Sequence, residues 1–290
     1  MKKKIAILFT LILATTNTQS IVFANYKENT KDLDTNVILE KNLISEEELI
    51  SDQELMERYG TEDVLITEEV LLSLNEQDFT TANEILNQWM ESTEHYTIDD
   101  INIKSTEILN QIYTEKQSKP TTFMLPEEFY RLNDEERRLI AIYPGSAIKV
   151  FDASRRARKE AEKWFSYDQL DQGNGDAFRH SYWNICMVMD LSAFGSSDNT
   201  YYDINYGIAM AKRFADAHEY ASTAPLDTEM DLYNNNIGRN LAKNNLYESN
   251  GILRFSGGGV DTTMYYIKYG YMKRIVSNRL VVTNSTGCSY

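Results

Sequence analysis

The chain has 290 residues with 44 acidic and 29 basic side chains, a net charge of −15, and only two cysteines and three histidines. Two cysteines allow one bridge at most, which excludes a disulfide scaffold and a metal site built from cysteine. Its acidity is concentrated in the first part of the chain, and a phosphate backbone is a poor partner there because it needs a positive surface.

Residues 1–24 read as a signal peptide. Lys2, Lys3 and Lys4 precede an apolar run from Ile5 to Ala14, and Val22-Phe23-Ala24 places small residues at the two positions a signal peptidase reads. A secreted or surface-associated product is expected, and loss of the three lysines takes the net charge from −15 to −18. No later stretch approaches the roughly 18 uninterrupted apolar residues of a membrane helix. Residues 25–45 are polar and read as a flexible leader. From 46 to 122 apolar groups recur at helical spacing, as in Val70, Leu71, Leu74 and Ile85, Leu86, Trp89, which predicts an acidic helical region. Asn25 to Leu125 carries 23 acidic and 7 basic residues, net −16, against 21 and 19, net −2, from Pro126 onward. Pro120, within 117–122, marks a linker.

Residues 123–290 are the second predicted domain. Leu125-Pro126 opens a helix expected to run to about 140, and Pro144 opens another over about 146–165 with a basic stripe of Arg155, Arg156, Arg158, Lys159 and Lys163. Gly173-Asn174-Gly175 breaks the chain before a helix over about 176–191, in which Cys186 reads as a buried thiol. Further helices are expected near 203–220, 228–244 and 262–277, and residues 280–283 read as a short terminal strand. Gly257-Gly258-Gly259 follows no readable strand and reads as a flexible turn. The expected fold is all-α: a multi-helix bundle with an additional acidic helical N-terminal region and a short C-terminal strand.

Three phrases carry the chemistry: G-D-A-F-R-H-S-Y-W-N from Gly175, F-A-D-A-H-E from Phe214 and M-D-L-Y-N-N-N-I-G-R from Met230. At 100° per residue Asp176, His180 and Asn184 share one helical stripe. Asp176 reads equally as a helix-start acid. In the second phrase Asp216 and His218 are 200° apart, so His218 is the inward group, Glu219 lies at its edge, and Asp216 faces Lys212 and Arg213. In the third, Asp231, Asn235, Gly238 and Ala242 share a stripe whose small residues allow close helix approach. The expected centre has His180, His218, Asp231 and Asn235 as metal ligands, with His180, Glu219, Asn184 and Arg239 as acid, base, orienting and anion-holding groups. Histidine nitrogen beside carboxylate and amide oxygen suits a divalent zinc or manganese ion better than calcium. A hydrogen-bonded core network accounts for the same residues without any metal.

From about Leu132 to Ala242 the chain resembles an uncharacterised bacterial domain family. The resemblance rests on Leu132, Glu136, Leu139 and Ile140, on Asp176 to His180 with Tyr182, Trp183 and Asn184, on Ala217, His218 and Glu219, and on Met230, Asp231, Leu232, Asn234, Asn235, Gly238 and Arg239. It implies a secreted or surface-associated protein, in some relatives with the domain at the end of a toxin-like chain, and no established activity. Tyr233 stands where similar proteins carry histidine. Three readings follow: a metal-dependent hydrolase acting on a phosphoester or other polar extracellular substrate, a surface or envelope interaction module with an extracellular partner, and an exported toxin-type effector.

Overall fold

The computed structural model describes residues 49–60, 66–118, 132–193, 202–220 and 222–289, and all of them fall in one unit, Thr35–Tyr290. The expected signal peptide and leader, and most of the expected linker, lie outside the described residues. The expectation of a mostly α fold holds: the described residues form ten α-helices and two small antiparallel hairpins. No described helix is long and apolar enough to cross a membrane.

Four helices come first: α1 (Asp52–Tyr59), α2 (Glu68–Ser73), α3 (Glu76–Ser92) and α4 (Ile98–Ser118). Short polar residues start all four, Thr97 with Asp100 at the head of α4. Ser51 and Thr67 accept from the backbone of Glu54 and Val70, and Asn75 forms a reciprocal capping box with Asp78. The helices α5 (Asp134–Ile142), α6 (Pro144–Trp164), α7 (Asn174–Ser192), α8 (Ile204–Glu219) and α9 (Pro225–Asn245) form the body that follows. A buried cluster runs from Leu55, Phe79 and Leu109 of the early helices into Ile148 and Phe151 of α6, Met187 of α7 and Phe214 of α8. Within it Phe79 stacks on Phe151 with ring centres 4.3 Å apart. The basic stripe of α6 also reaches the acidic helices, where Arg158 pairs with Glu76 at 2.7 Å.

Three expected elements differ. Instead of one run from 126, α5 begins at Asp134, because the Asn133 side chain accepts from Glu136 N–H while Glu136 accepts from Asn133 N–H. Residues 119–131 lie outside the described set. Leu246–Ser249 (β1) and Ile252–Phe255 (β2) form a hairpin that was not expected. Its turn is Asn250-Gly251, both at positive φ, the preferred chemistry for a two-residue hairpin loop. The triple glycine therefore does follow a strand, and leads into α10 (Gly259–Lys268). The helix expected to 277 stops at Lys268. Gly270, at φ 76°, donates to Ile267 O and Tyr271 donates to Tyr266 O, a Schellman stop that releases the chain into β3 (Lys273–Ile275) and β4 (Leu280–Val282).

The helix that organises the body is α7, which packs against α6, α8, α9 and α10. Fifteen of its 19 residues are buried, polar ones among them, and the four that are not, Arg179, Tyr182, Met189 and Asp190, fall on one side. Both flanking helices reach it at a glycine. A Cβ on Gly238 of α9 would overlap the Ser181 carbonyl, and one on Gly207 of α8 would come within 2.7 Å of the Val188 carbonyl. Cys186 is buried and forms no disulfide with Cys288.

Candidate metal centre

A polar side chain on the buried side of a helix must find its partners inside the protein. On α7 these are Asp176, His180 and Asn184, one turn apart, and α9 answers with Asp231, Asn235 and Arg239. Glu219 arrives from the last turn of α8. All seven are buried.

His180 sits at the middle, with 1% of its surface exposed. Its Nε2 lies 3.4 Å from Asp176 Oδ1 and 3.2 Å from Asp231 Oδ1, and accepts from Arg179 Nη2 at 2.5 Å. Its Nδ1 lies 3.3 Å from Asn235 Oδ1 and 3.9 Å from Glu219 Oε1. The amide partners assign the tautomer. Asn184 Nδ2 donates to Asn235 Oδ1 at 2.7 Å, which fixes that atom as an acceptor, so Nδ1 carries the hydrogen and donates to it. Asn184 is itself oriented by Arg239, whose Nη1 donates to Asn184 Oδ1 at 3.0 Å. The chain Arg239, Asn184, Asn235 thus holds the imidazole with its Nε2 lone pair facing the two aspartates. A metal-ligating histidine is held this way, its other ring nitrogen engaged in a hydrogen bond.

The electrostatics separate the carboxyls. Burial would raise Asp176, but the Arg179 guanidinium, joined by the Gln172 N–H, outweighs it and holds the group well below the usual range. Burial, and then the Asp176 and Glu219 carboxyls, push Asp231 well above it. Glu219 is raised as well, by burial, with His218 and Arg179 opposing. For His180, burial and the adjacent Arg179 charge outweigh Asp176 and lower it to about 4. Its unfolded value is near 6.5, so the stability it contributes is present above pH 6.5 and is lost as pH falls toward 4. Metal-free protein is expected to lose about 2–3 kcal/mol through this group between pH 7 and pH 4.5. Denaturant unfolding should show a smaller acid loss in His180→Gln, and an unchanged loss would remove His180 as its source.

Asp176, His180 and Asp231 offer ligand atoms that all lie within 4.8 Å of one another. Asn235, expected among the ligands, instead has its oxygen engaged by His180 Nδ1 and Asn184. His218, also expected as a ligand, lies outside that group. Its Nδ1 is 3.2 Å from Glu136 Oε1, and its ring stands edge-on to Trp183 with centres 5.6 Å apart. Sequence reasoning left Asp176 divided between a helix-start acid and a site residue, and the structure gives it both places: Oδ2 accepts from Gln172 N–H at 2.8 Å and Oδ1 faces His180. The signal was the four-residue spacing to His180. Glu136 as the partner of His218 had no such signal, since 82 positions separate them.

Residues 137–255 match the family model of a domain of unknown function, DUF6973. That span agrees with the resemblance to an uncharacterised domain family and contains every residue of the centre. Neither a curated protein nor a solved structure matches the chain. The helices α1 to α4, and the chain from α10 onward, lie outside the DUF6973 span.

Proposed function

We propose that the centre binds a divalent transition metal through Asp176 Oδ1, His180 Nε2 and Asp231 Oδ1, and that the protein is an exported hydrolase of a phosphoester or another polar extracellular substrate. One observation carries the reading. Glu219 Oε1, Asp231 Oδ1 and Asn235 Nδ2 are buried atoms without a hydrogen-bond partner, all gathered around one imidazole. A buried carboxyl with an unpartnered oxygen requires a proton or a cation, and of the two it is Asp231 that lies with Asp176 on the Nε2 side of His180. One imidazole nitrogen and two carboxylate oxygens suit zinc or manganese. Such an ion would supply Lewis acidity and an acidified water. Glu219, raised by burial and facing the other side of His180, would be the carboxyl that exchanges a proton.

A closed structural network is the second reading, and Arg179 favours it. Its guanidinium lies on the same two atoms, Asp176 Oδ1 and His180 Nε2, that an ion would take, both at 2.5 Å. Under the metal reading Arg179, with 29% of its side chain exposed, swings outward and yields the place. Arg179→Gln is then expected to bind manganese or zinc about tenfold more tightly than the parent, because the competing cation is gone. Calorimetric titration of the purified full chain, beside elemental analysis and a hydrolysis assay on bis(p-nitrophenyl) phosphate, tests this. No bound metal in the parent or in Arg179→Gln would leave the closed network as the reading.

A further inference from the structure

Gln172 stands in the loop before α7 with φ 58°, a left-handed conformation that a non-glycine residue seldom takes. Three hydrogen bonds to three separate elements hold it there. Its N–H donates to Asp176 Oδ2 at 2.8 Å, its Nε2 donates to Asp227 Oδ1 of α9 at 2.9 Å, and its carbonyl accepts from Ile275 N–H of β3 at 2.8 Å. The strand that supplies Ile275 is fastened in turn. Asn234 of α9 donates from Nδ2 to Lys273 O at 2.9 Å and accepts from Lys273 N–H at 3.0 Å. Beyond β4, Asn174 of α7 accepts from Asn284 N–H at 3.1 Å and donates to Thr286 O at 2.8 Å.

Backbone strain persists where the surroundings over-determine it, and here it fixes one oxygen of a buried carboxylate. With Oδ2 engaged by Gln172, Oδ1 is the atom turned toward His180. Outer partners of this kind orient metal ligands. We infer that Gln172 is the positioning residue of Asp176, and that the β3–β4 hairpin belongs to the centre through it, although it lies outside the DUF6973 span. The inference rests on the metal reading for its consequence, and on geometry alone for its substance.

The variants are Asp227→Ala, which removes the side-chain anchor of Gln172 from a partly buried position, Asp227→Asn, which keeps an acceptor oxygen and drops the charge, and Gln172→Gly, which relaxes the strain. Two measurements on the full chain read them: manganese affinity by calorimetry, and the ring-nitrogen NMR signals of His180 in metal-free protein, resolved against His95 and His218. Asp227→Ala and Gln172→Gly are expected to bind manganese about tenfold more weakly and to shift the His180 signals while leaving His95 in place. Asp227→Asn is expected to behave as the parent, which separates the anchor from the charge. Gln172→Gly should lose affinity without losing thermal stability, an outcome that a merely structural role would not give. Unmoved His180 signals in Asp227→Ala and Gln172→Gly overturn the inference, whether or not manganese binds. If the parent binds no manganese but those signals move, the positioning role stands and the metal reading falls.

Discussion

Replacing Asp231 by asparagine is expected to stabilise the metal-free protein at pH 8 and, in the same variant, to abolish its stabilisation by zinc or manganese. Unfolded, Asp231 ionises near pH 4. Folded, burial and the Asp176 and Glu219 carboxyls keep its proton to far higher pH. Between those limits the native state holds the additional proton, so stability falls as pH rises. His180 has the opposite slope, but above pH 6.5 it is neutral in both states and drops out, which leaves the raised carboxyls Asp231 and Glu219 at pH 8, and the substitution removes the first of them. Asparagine keeps the shape and the accepting oxygen and removes the charge. The gain should be on the order of 2 kcal/mol, within the range seen when buried charges are replaced by neutral groups. In a chain of this size that is about 4–8 °C in melting temperature. A variant less stable than the parent at pH 8 would mean that Asp231 is already compensated, and that no cation is called for.

Gly238→Ala is expected to act in the other direction. On an exposed helix the change would help by about 1 kcal/mol through helix propensity. Here the added carbon would overlap the backbone carbonyl of Ser181 and meet Asn184 Cβ at 2.9 Å. A carbonyl within a helix cannot rotate aside, so α9 must move away from α7. Overpacking of this kind costs about 1–3 kcal/mol, and more when backbone shifts. The clash outweighs the propensity gain, and a net loss of about 2–3 kcal/mol, seen as a lower denaturant midpoint with an unchanged slope, is the expected result. Because the contact sits beside the Asn184–Asn235 hydrogen bond, the same variant should weaken metal binding. Unchanged stability would show that the two helices do not approach as closely as the backbone places them.

How much of this was legible beforehand depended on the range of the interaction. The helices α6, α7, α8 and α9 announced themselves through Pro144, Gly173-Asn174-Gly175 and the recurrence of apolar groups, and their ends fell within a few residues of expectation. The stripes Asp176, His180, Asn184 and Asp231, Asn235, Gly238 are local geometry, fixed by 100° per residue, so their convergence could be foreseen. The hairpin at Asn250-Gly251 was legible but overlooked: Tyr247-Glu248-Ser249 and Ile252-Leu253-Arg254 flank a dipeptide that favours a two-residue turn. The β3 strand was hidden by the helical pattern leading into it, and only Gly270 marked the stop. What periodicity could not supply was the partner of each inward group. His218 meets Glu136 across 82 positions, and Arg179 lies on the atoms that a metal would use. Those pairings are decided by how whole helices pack, and a helical wheel contains no information about its neighbour.

The burial of most of α7 also sets a clock. Fifteen of its 19 residues are buried, so the helix opens on the timescale of the whole body, seconds or longer in most domains. Rotamer changes in a partly exposed side chain take picoseconds to nanoseconds. Of the groups on His180 Nε2, Arg179 is the one with a quarter or more of its side chain in solvent. For an ion held at this site, the motion of Arg179 would be the fast route in and out, and the opening of the helix the slow one.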